Sequence, residues 1–497
     1  MKNYLAYING KFVDSANKVQ IYSPETSQVI GTYPALNKSQ IDDAYDAASV
    51  AFEVWSHYSH QKRAQYLLAF AAELKNHVEQ IADLMSEEIA KNLNESKIEI
   101  LRTVDYITET VHTYLELIEN PEVYSHSTDL TMPKDKVAVY HRKPFGVALT
   151  ISPFNYPVNL MLAKVAPALI TGNTVVHKSA TQGSLVGAYV AQLFDNIEVA
   201  GEKLLPGVFN YVTGRGSEIG DYLVQHPKVA IASFTGGTDV GIRLASHMAM
   251  RPYVLELGGK DAALVLDDAD IEKTANEIVK GSFSYSGQRC TAIKRVFVSD
   301  KKAPELIPVL VEKVNALTVG SAKNNCQITH LVEKKSVDVA KRLYQDALDK
   351  GAKNLTNEMK IEGNLVTPVL LDLVTPAMDV AWVEPFAPII PILRYQNIDE
   401  AIKLINQSEY GLQGSIFTED YHQAVELGKK FQTGTVNINR ASSRGPDVLP
   451  FLGIKNSGFG IQGIGEALKF YTRTQGLVLN DEEIINKFDV EDATTEE

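Results

Sequence analysis

The chain has 497 residues, 45% of them hydrophobic and 22% charged, with a net charge of −13 at pH 7. That length exceeds one compact core and predicts two or three domains, while the composition excludes a disordered or low-complexity chain and the acidic balance argues against a nucleic-acid or anionic-membrane surface. Two cysteines, Cys290 and Cys326, exclude a disulfide framework and suit a reducing compartment, and the 11 histidines show no metal-ligand spacing. No run approaches the roughly 18 apolar residues of a membrane span, and Met1–Asp14 lacks a basic stretch followed by an apolar one. A cytoplasmic protein without a metal is expected.

After a short strand-and-turn start, residues 4–32, the first third reads as helix. Ser39 with Asp42 three residues on resembles a capping box, and Ile41, Tyr45, Ala48, Phe52 and Trp55 then recur at helical spacing. Leu67, Leu68, Ala71, Leu74, Val78 and Ile81 make a second such face, and residues 94–118 a third, with Ile98, Leu101, Val104, Ile107 and Val111. All are read as faces packing into a core.

From Gly146 short β-rich runs alternate with helices: GVALTIS, PVNLMLAKVAPALI, NTVVHKS, GSLVGAYVAQLF, GVFNYVT, SEIGDYLVQH and VAIASFT, then a helix beginning near Thr238. Such alternation indicates a parallel sheet covered on both faces, an α/β nucleotide-binding architecture. Fold alone does not supply function. A second β/α series starts near Glu256 with AALVL, a helix from Asp270 to about Tyr285, the loop SGQRCTA and the strand RVFVSD, and runs past Ile389; the main domain boundary falls near Glu256 to Gly259, at the turn ELGGK. Residues 481–497 carry eight acidic residues and one lysine, a composition that reads as a solvated tail.

Two glycine turns join strand to helix. GRGSEIG (Gly214, Gly216, Gly220) is one residue longer than the dinucleotide fingerprint, and Phe234-Thr235-Gly236-Gly237-Thr238 could present backbone N–H groups to a pyrophosphate. Either turn alone is as readily tight-turn punctuation. Cys290 is the sharper signal: it lies in the polar loop Ser286-Gly287-Gln288-Arg289-Cys290-Thr291, after an arginine whose charge would favour thiolate. A lone cysteine is otherwise a small buried hydrophobe, as Cys326 is read. Glu256 ends an apolar strand, where burial could raise its pKa towards that of a useful base, or where it could simply be a salt-bridge partner.

Asn155 in SPFNYP, Glu256 in ELGGK, Cys290 in GQRCT and Glu384-Pro385-Phe386, in this order and at these separations, resemble the aldehyde dehydrogenase superfamily from about Tyr7 to Leu479. Within it, ISPFNYPVNL, TQGS from Thr181, TGRGSEIGDY, Met250-Arg251-Pro252, SGQRCTAIKRV, Arg444-Gly445-Pro446-Asp447 and Pro450-Phe451-Leu452-Gly453 are most similar to the NADP-dependent, non-phosphorylating glyceraldehyde-3-phosphate dehydrogenases.

The resemblance implies an α/β, aldehyde dehydrogenase-like fold. A Rossmann-type cofactor domain would comprise 1–122 and 145–256, a catalytic α/β domain 257–458, and a small oligomerisation element 123–144 and 459–480, with a hairpin near Tyr124 to Tyr140 and a late strand Thr472 to Leu479 building a homo-oligomer, a dimer of dimers. Cys290 would attack an aldehyde carbonyl, Asn155 and the Cys290 N–H would stabilise the oxyanion, and Glu256 would activate the water that hydrolyses the thioester. Ser152, Phe154, Lys178, Thr181, Gly214, Asp221, Phe234, Thr235, Gly236, Gly237, Thr238, Leu257, Glu384 and Phe386 match cofactor positions. Lys178 and Thr181 suit the 2′-phosphate of NADP, with NAD possible. Arg102, Tyr156, Arg289, Thr291 and Arg444 match substrate positions, and three guanidinium groups suit a phosphate dianion. The alternative is a dehydrogenase of another small aldehyde, such as succinate semialdehyde or lactaldehyde. Three departures stand out: Gly237 where the family commonly has serine, Val383 and Ala387 flanking Glu384-Pro385-Phe386 where it has glutamate and glycine, and Asn439-Arg440-Ala441-Ser442-Ser443 before Arg444.

Overall fold

The computed structural model describes residues 2–125 and 129–480; the acidic segment 481–497 lies outside them. Four helices open the chain after its first strands: Lys38–Trp55, His60–Asn76, Val78–Ile89 and Leu93–Glu119. The first is capped two residues earlier than Ser39 and Asp42 suggest. Asn37 accepts from the Gln40 N–H while the Gln40 side chain accepts from the Asn37 N–H, a reciprocal box that satisfies two otherwise orphan donors. The second predicted helix is two, broken at His77.

In helix Leu93–Glu119 the predicted apolar face faces inward at Val104, Ile107 and Val111 but not at Ile98 and Leu101. Ile98 and Leu101 are 64% and 42% exposed, whereas Glu99, Thr103 and Thr110 are buried beside Ile100, Ile107 and Val111. Thr103 and Thr110 satisfy their hydroxyls on carbonyls one turn back, Glu99 and Tyr106. Glu99 has partners on other elements, which is why a carboxylate can occupy the core there.

The strand-helix alternation from Gly146 builds an eight-stranded sheet. Its five parallel strands are, in chain order, Val147–Ser152, Thr174–Ser179, Phe209–Tyr211, Val229–Thr235 and Tyr253–Glu256, and they lie in the spatial order third, second, first, fourth, fifth. This is the doubly wound Rossmann order, whose crevice opens at the carboxyl ends where the winding reverses. Here the reversal falls between Val147–Ser152 and Val229–Thr235, and Ser152-Pro153-Phe154-Asn155 and Thr235-Gly236-Gly237 emerge on either side of it. Antiparallel strands Ala6–Ile8 and Gly458–Phe459 flank the parallel five, the latter on Tyr253–Glu256. Helix Asn159–Ile170 is buried on every side, as expected of a helix apolar all round.

Between Glu256 and Asp261 the chain crosses to a second, seven-stranded sheet. Its parallel strands run in space Val369–Asp372, Ile389–Tyr395, Ile293–Ser299, Asp261–Val265, Gln413–Phe417 and Thr435–Ile438. A three-stranded antiparallel sheet stands apart, with Thr472–Leu479 paired along its whole length to Val137–Pro144, and that to Glu122–Ser125. The hairpin and the late strand named from the sequence thus join each other. No helix of the described residues is long and apolar enough to cross a membrane.

Candidate active site

The turn Leu257-Gly258-Gly259-Lys260 leads from the carboxyl end of Tyr253–Glu256 in the first sheet to the amino end of Asp261–Val265 in the second, and its glycines are a matter of space. A Cβ on Gly258 would sit 2.4 Å from Glu384 Oε2, and one on Gly259 2.7 Å from the Cys290 carbonyl oxygen. Glu384 takes up the room: its Oε1 accepts from the Gly259 N–H at 3.1 Å and lies 3.0 Å from Lys294 Nζ. The same ammonium donates to the Cys290 carbonyl at 2.6 Å, so one cation ties the cysteine loop to Glu384.

The cysteine loop is itself held in an unusual backbone. Tyr285, Ser286 and Gly287 have φ of 49°, 56° and 76°, a left-handed run that costs non-glycine residues about 1–2 kcal/mol each. Anchors hold it in place: the Tyr285 hydroxyl donates to the Ile89 carbonyl at 2.7 Å, and Ser286 Oγ exchanges hydrogen bonds with the backbone of Thr329. Strain of this kind collects at functional sites. It leaves Cys290 half-buried at the mouth of strand Ile293–Ser299, with Asn155 beside the loop, its Nδ2 donating to the Gln288 carbonyl at 2.9 Å.

Electrostatically Cys290 differs from expectation, and Glu256 takes the second of its two readings, that of a salt-bridge partner. Burial pushes the Cys290 thiol up to about 11, reinforced by Glu256, Glu384 and Asp261; the cation opposing this is Lys294, not the adjacent Arg289. Glu256 moves the other way. Burial alone would raise its pKa, but Arg444 and then Lys164 outweigh it and hold the carboxyl below its usual range. Arg444 Nη1 reaches Glu256 Oε1 at 2.6 Å, Lys164 Nζ stands 3.7 Å from Oε2, and Thr235 Oγ1 donates to Oε2 at 2.7 Å. Burial pulls Lys164 down to about 8. None of the roles that the resemblance implies falls on Lys164 or Lys294; a lone lysine in the otherwise apolar run NLMLAKVAPALI is the available signal for the first.

The arginines expected at the substrate's far end are only partly free. Arg102 forms a two-pronged pair with Asp447, at 2.8 and 2.7 Å, and also donates to the Arg444 carbonyl; Arg444 is paired to Glu256. Arg289 is 8% exposed and forms no ion pair among the described residues, donating instead to Thr291 and to the Ser442 carbonyl. Tyr156 lies under Lys91, whose Nζ is 3.6 Å from the ring centroid.

At the other side of the crevice the cofactor positions sort themselves. Gly237 heads helix Thr238–Met248, and a Cβ there would meet nothing within 4 Å. Gly236 lies over the Phe234 ring, and Gly214 takes φ 153° before helix Gly216–Gln225. Lys178 Nζ donates to the Ser179 carbonyl near Gly216, and burial draws its pKa down to about 8. Thr181 is half-buried on the turn just beyond, and Phe386, at φ 47°, meets the Phe154 ring edge to face at 6.0 Å. Leu257 is buried against Gly241 of the same helix, and the Thr238 hydroxyl accepts from the Gly258 N–H at 3.4 Å. Three side chains named from the resemblance are engaged elsewhere: Thr235 on Glu256, Ser152 Oγ on His177 Nε2 at 3.1 Å, and Asp221 on Arg243. An open helix N-terminus, a buried cation and a paired aromatic platform fit a dinucleotide with a 2′-phosphate. No group of histidine, cysteine and carboxylate side chains among the described residues could hold a metal.

Residues 12–477 match the model of the aldehyde dehydrogenase family. The chain belongs to that family. The NADP-dependent glyceraldehyde-3-phosphate dehydrogenase of Streptococcus equinus is 42% identical over 479 residues, 96% of this chain and 99% of that protein. A crystal structure of the NADP-dependent glyceraldehyde-3-phosphate dehydrogenase of Bacillus halodurans C-125, complexed with NADP, superposes with a TM-score of 0.93 at 46% identity, covering 97% of this chain and all of that one. The lactaldehyde dehydrogenase of Methanocaldococcus jannaschii is 30% identical over 95% of this chain and 100% of its own length.

Proposed function

We propose that this aldehyde dehydrogenase oxidises glyceraldehyde 3-phosphate to 3-phosphoglycerate with NADP, through a thioester on Cys290 that water hydrolyses. One observation carries the phosphate reading: Arg289, next to the nucleophile, is a buried guanidinium that makes no direct ion pair among the described residues, the carboxylate of Glu95 acting on it only from farther off. A buried unpaired charge is costly, and an anionic substrate group supplies the missing partner. The Streptococcus and Bacillus relatives, named for this substrate and cofactor, support it.

Cys290 loses its proton and bonds to the aldehyde carbon, while the Asn155 amide and the Cys290 N–H donate to the carbonyl oxygen as charge develops on it. NADP, held by Lys178, Thr181, Glu384 and the Gly237 helix terminus, supplies a hydride acceptor. Glu256 then takes a proton from water as the water's oxygen adds to the thioester carbon, and the Cys290 thiolate leaves. Arg102, Arg289, Arg444 and Tyr156 orient the far end. Work as a homo-oligomer in the cytoplasm fits the exposed strand Thr472–Leu479 and the two free cysteines.

NADPH formation is measured with glyceraldehyde 3-phosphate and with succinate semialdehyde at equal concentration, with and without inorganic phosphate. Preference for the phosphorylated aldehyde, with no need for inorganic phosphate, is expected. Equal or better turnover of the semialdehyde overturns the substrate assignment.

A further inference from the structure

Lys91 and Glu99 form an ion pair at 2.5 Å with both side chains 1% exposed, and neither has a part in the chemistry above. Apart from Lys91 Nζ lying 5.1 Å from the Tyr285 ring centroid, the further contacts of these side chains converge on one short stretch. Glu99 Oε1 accepts from the Val158 and Asn159 N–H groups, both at 3.0 Å. Lys91 Nζ donates to the Asn155 carbonyl at 3.2 Å and lies against the Tyr156 ring. The pair therefore straddles the turn from Asn155 to Asn159, carboxylate at its N–H end and ammonium at its carbonyl end. Helix Asn159–Ile170 has no side-chain cap of its own, so Glu99, reaching from another helix, satisfies donors that its first turn leaves orphaned.

The Asn155 side chain is held by little else. Its Nδ2 has the Gln288 carbonyl, and its buried Oδ1 has no hydrogen-bond partner among the described residues, so the direction of the amide follows the backbone at 155. A buried ion pair gains little net stability over an apolar pair of like volume; what this one supplies is position. We propose that Lys91 and Glu99 are a positioning pair that aims the Asn155 amide at the oxyanion and sets the Tyr156 ring beside the substrate. This rests on the roles given above to Asn155 and Tyr156.

Single substitutions leave one charge buried alone and can fail to fold, so the test is the double variant Lys91→Met/Glu99→Met, with Glu99→Gln, which keeps the side chain's shape, as the second. Stopped-flow measurement of the first turnover of NADPH reads acylation, and fluorescence titration reads NADP affinity. Misplacing a reacting group by about 1 Å costs about 10²-fold; the double variant is expected to lose about that factor in the first-turnover rate while keeping its Kd for NADP. An intermediate loss is expected for Glu99→Gln. Wild-type first-turnover rates in either variant overturn the proposal, as does a loss matched by an equal weakening of NADP binding, which marks general disruption. Each variant is assayed on glyceraldehyde 3-phosphate and on succinate semialdehyde. A wild type that prefers the semialdehyde defeats the substrate reading alone, because an oxyanion forms on any aldehyde and the pair's effect persists on both.

Discussion

Cys290 in the cofactor-free protein is expected to be less reactive than an ordinary cysteine, against the usual rule for a nucleophile. Its thiol lies at about 11 rather than 9.0, two units that correspond to about 2.7 kcal/mol and to a thiolate fraction near pH 8 lower by about 10²-fold. The assay is covalent incorporation of iodoacetamide from pH 6 to 10, in a Cys326→Ser background so that Cys290 is the one thiol labelled. The pseudo-first-order rate should climb about tenfold per pH unit through the range without a plateau, since the thiolate is the reacting species. Two variants check the cause. Lys294→Met removes the cation that favours thiolate and should slow alkylation, whereas Glu256→Gln removes a carboxylate that disfavours it and should speed alkylation. A plateau below pH 8, or a Glu256→Gln protein that alkylates more slowly, refutes the electrostatic account.

Glu256→Gln should also separate the two half-reactions: one equivalent of NADPH forms at the first turnover, then steady-state turnover falls by about 10²–10⁴-fold because the deacylating base is gone; a quench-flow trace without a burst contradicts this. Lys178, drawn down to about 8 from its ordinary 10.5, is charged below that pH and neutral above it, so kcat/KM for NADP should fall as pH rises through about 8 while that for NAD does not; parallel profiles would remove Lys178 from the 2′-phosphate. Gly237→Ser places its side chain where nothing lies within 4 Å, at a φ of −67° that any residue adopts. Stability should change by no more than about 0.5 kcal/mol and KM for NADP should fall, as read from a thermal melt and initial rates.

Much of the fold was legible because local pattern and topology agree. The runs from GVALTIS to VAIASFT became parallel strands and covering helices, since a strand that reads apolar throughout must be buried on both faces. The misreadings have a common origin. Ile98 and Leu101 have the right spacing but face outward because Glu99 and Thr103, one step round the helix, face in, and a periodic pattern scored on apolarity cannot register a carboxylate whose partners lie at Lys91, Val158 and Asn159. His77 splits one apparent helix because the apolar face continues across the break. Asn37 and Gln40, not Ser39 and Asp42, form the capping box because both pairs have the spacing and only geometry chooses.

The identities at the candidate site were legible in motifs; their electrostatic sense was not. Burial, the one term that can be guessed from a glutamate at the end of an apolar strand, does raise the pKa of Glu256. The sign is reversed by Arg444, 188 residues away, and by Lys164 on a different helix. Arg289 adjoins Cys290 in sequence, yet its guanidinium is turned towards Thr291 and Ser442, and the cation that acts on the thiol is Lys294, whose Nζ folds back onto the Cys290 carbonyl. Adjacency along the chain fixes where a backbone goes, and the direction of a long charged side chain is settled by which acceptors the fold brings within reach. Charge at this site is therefore a property of the meeting of two sheets, and the Lys294→Met and Glu256→Gln variants interrogate that meeting directly, because each alters the field at sulfur from a different sheet.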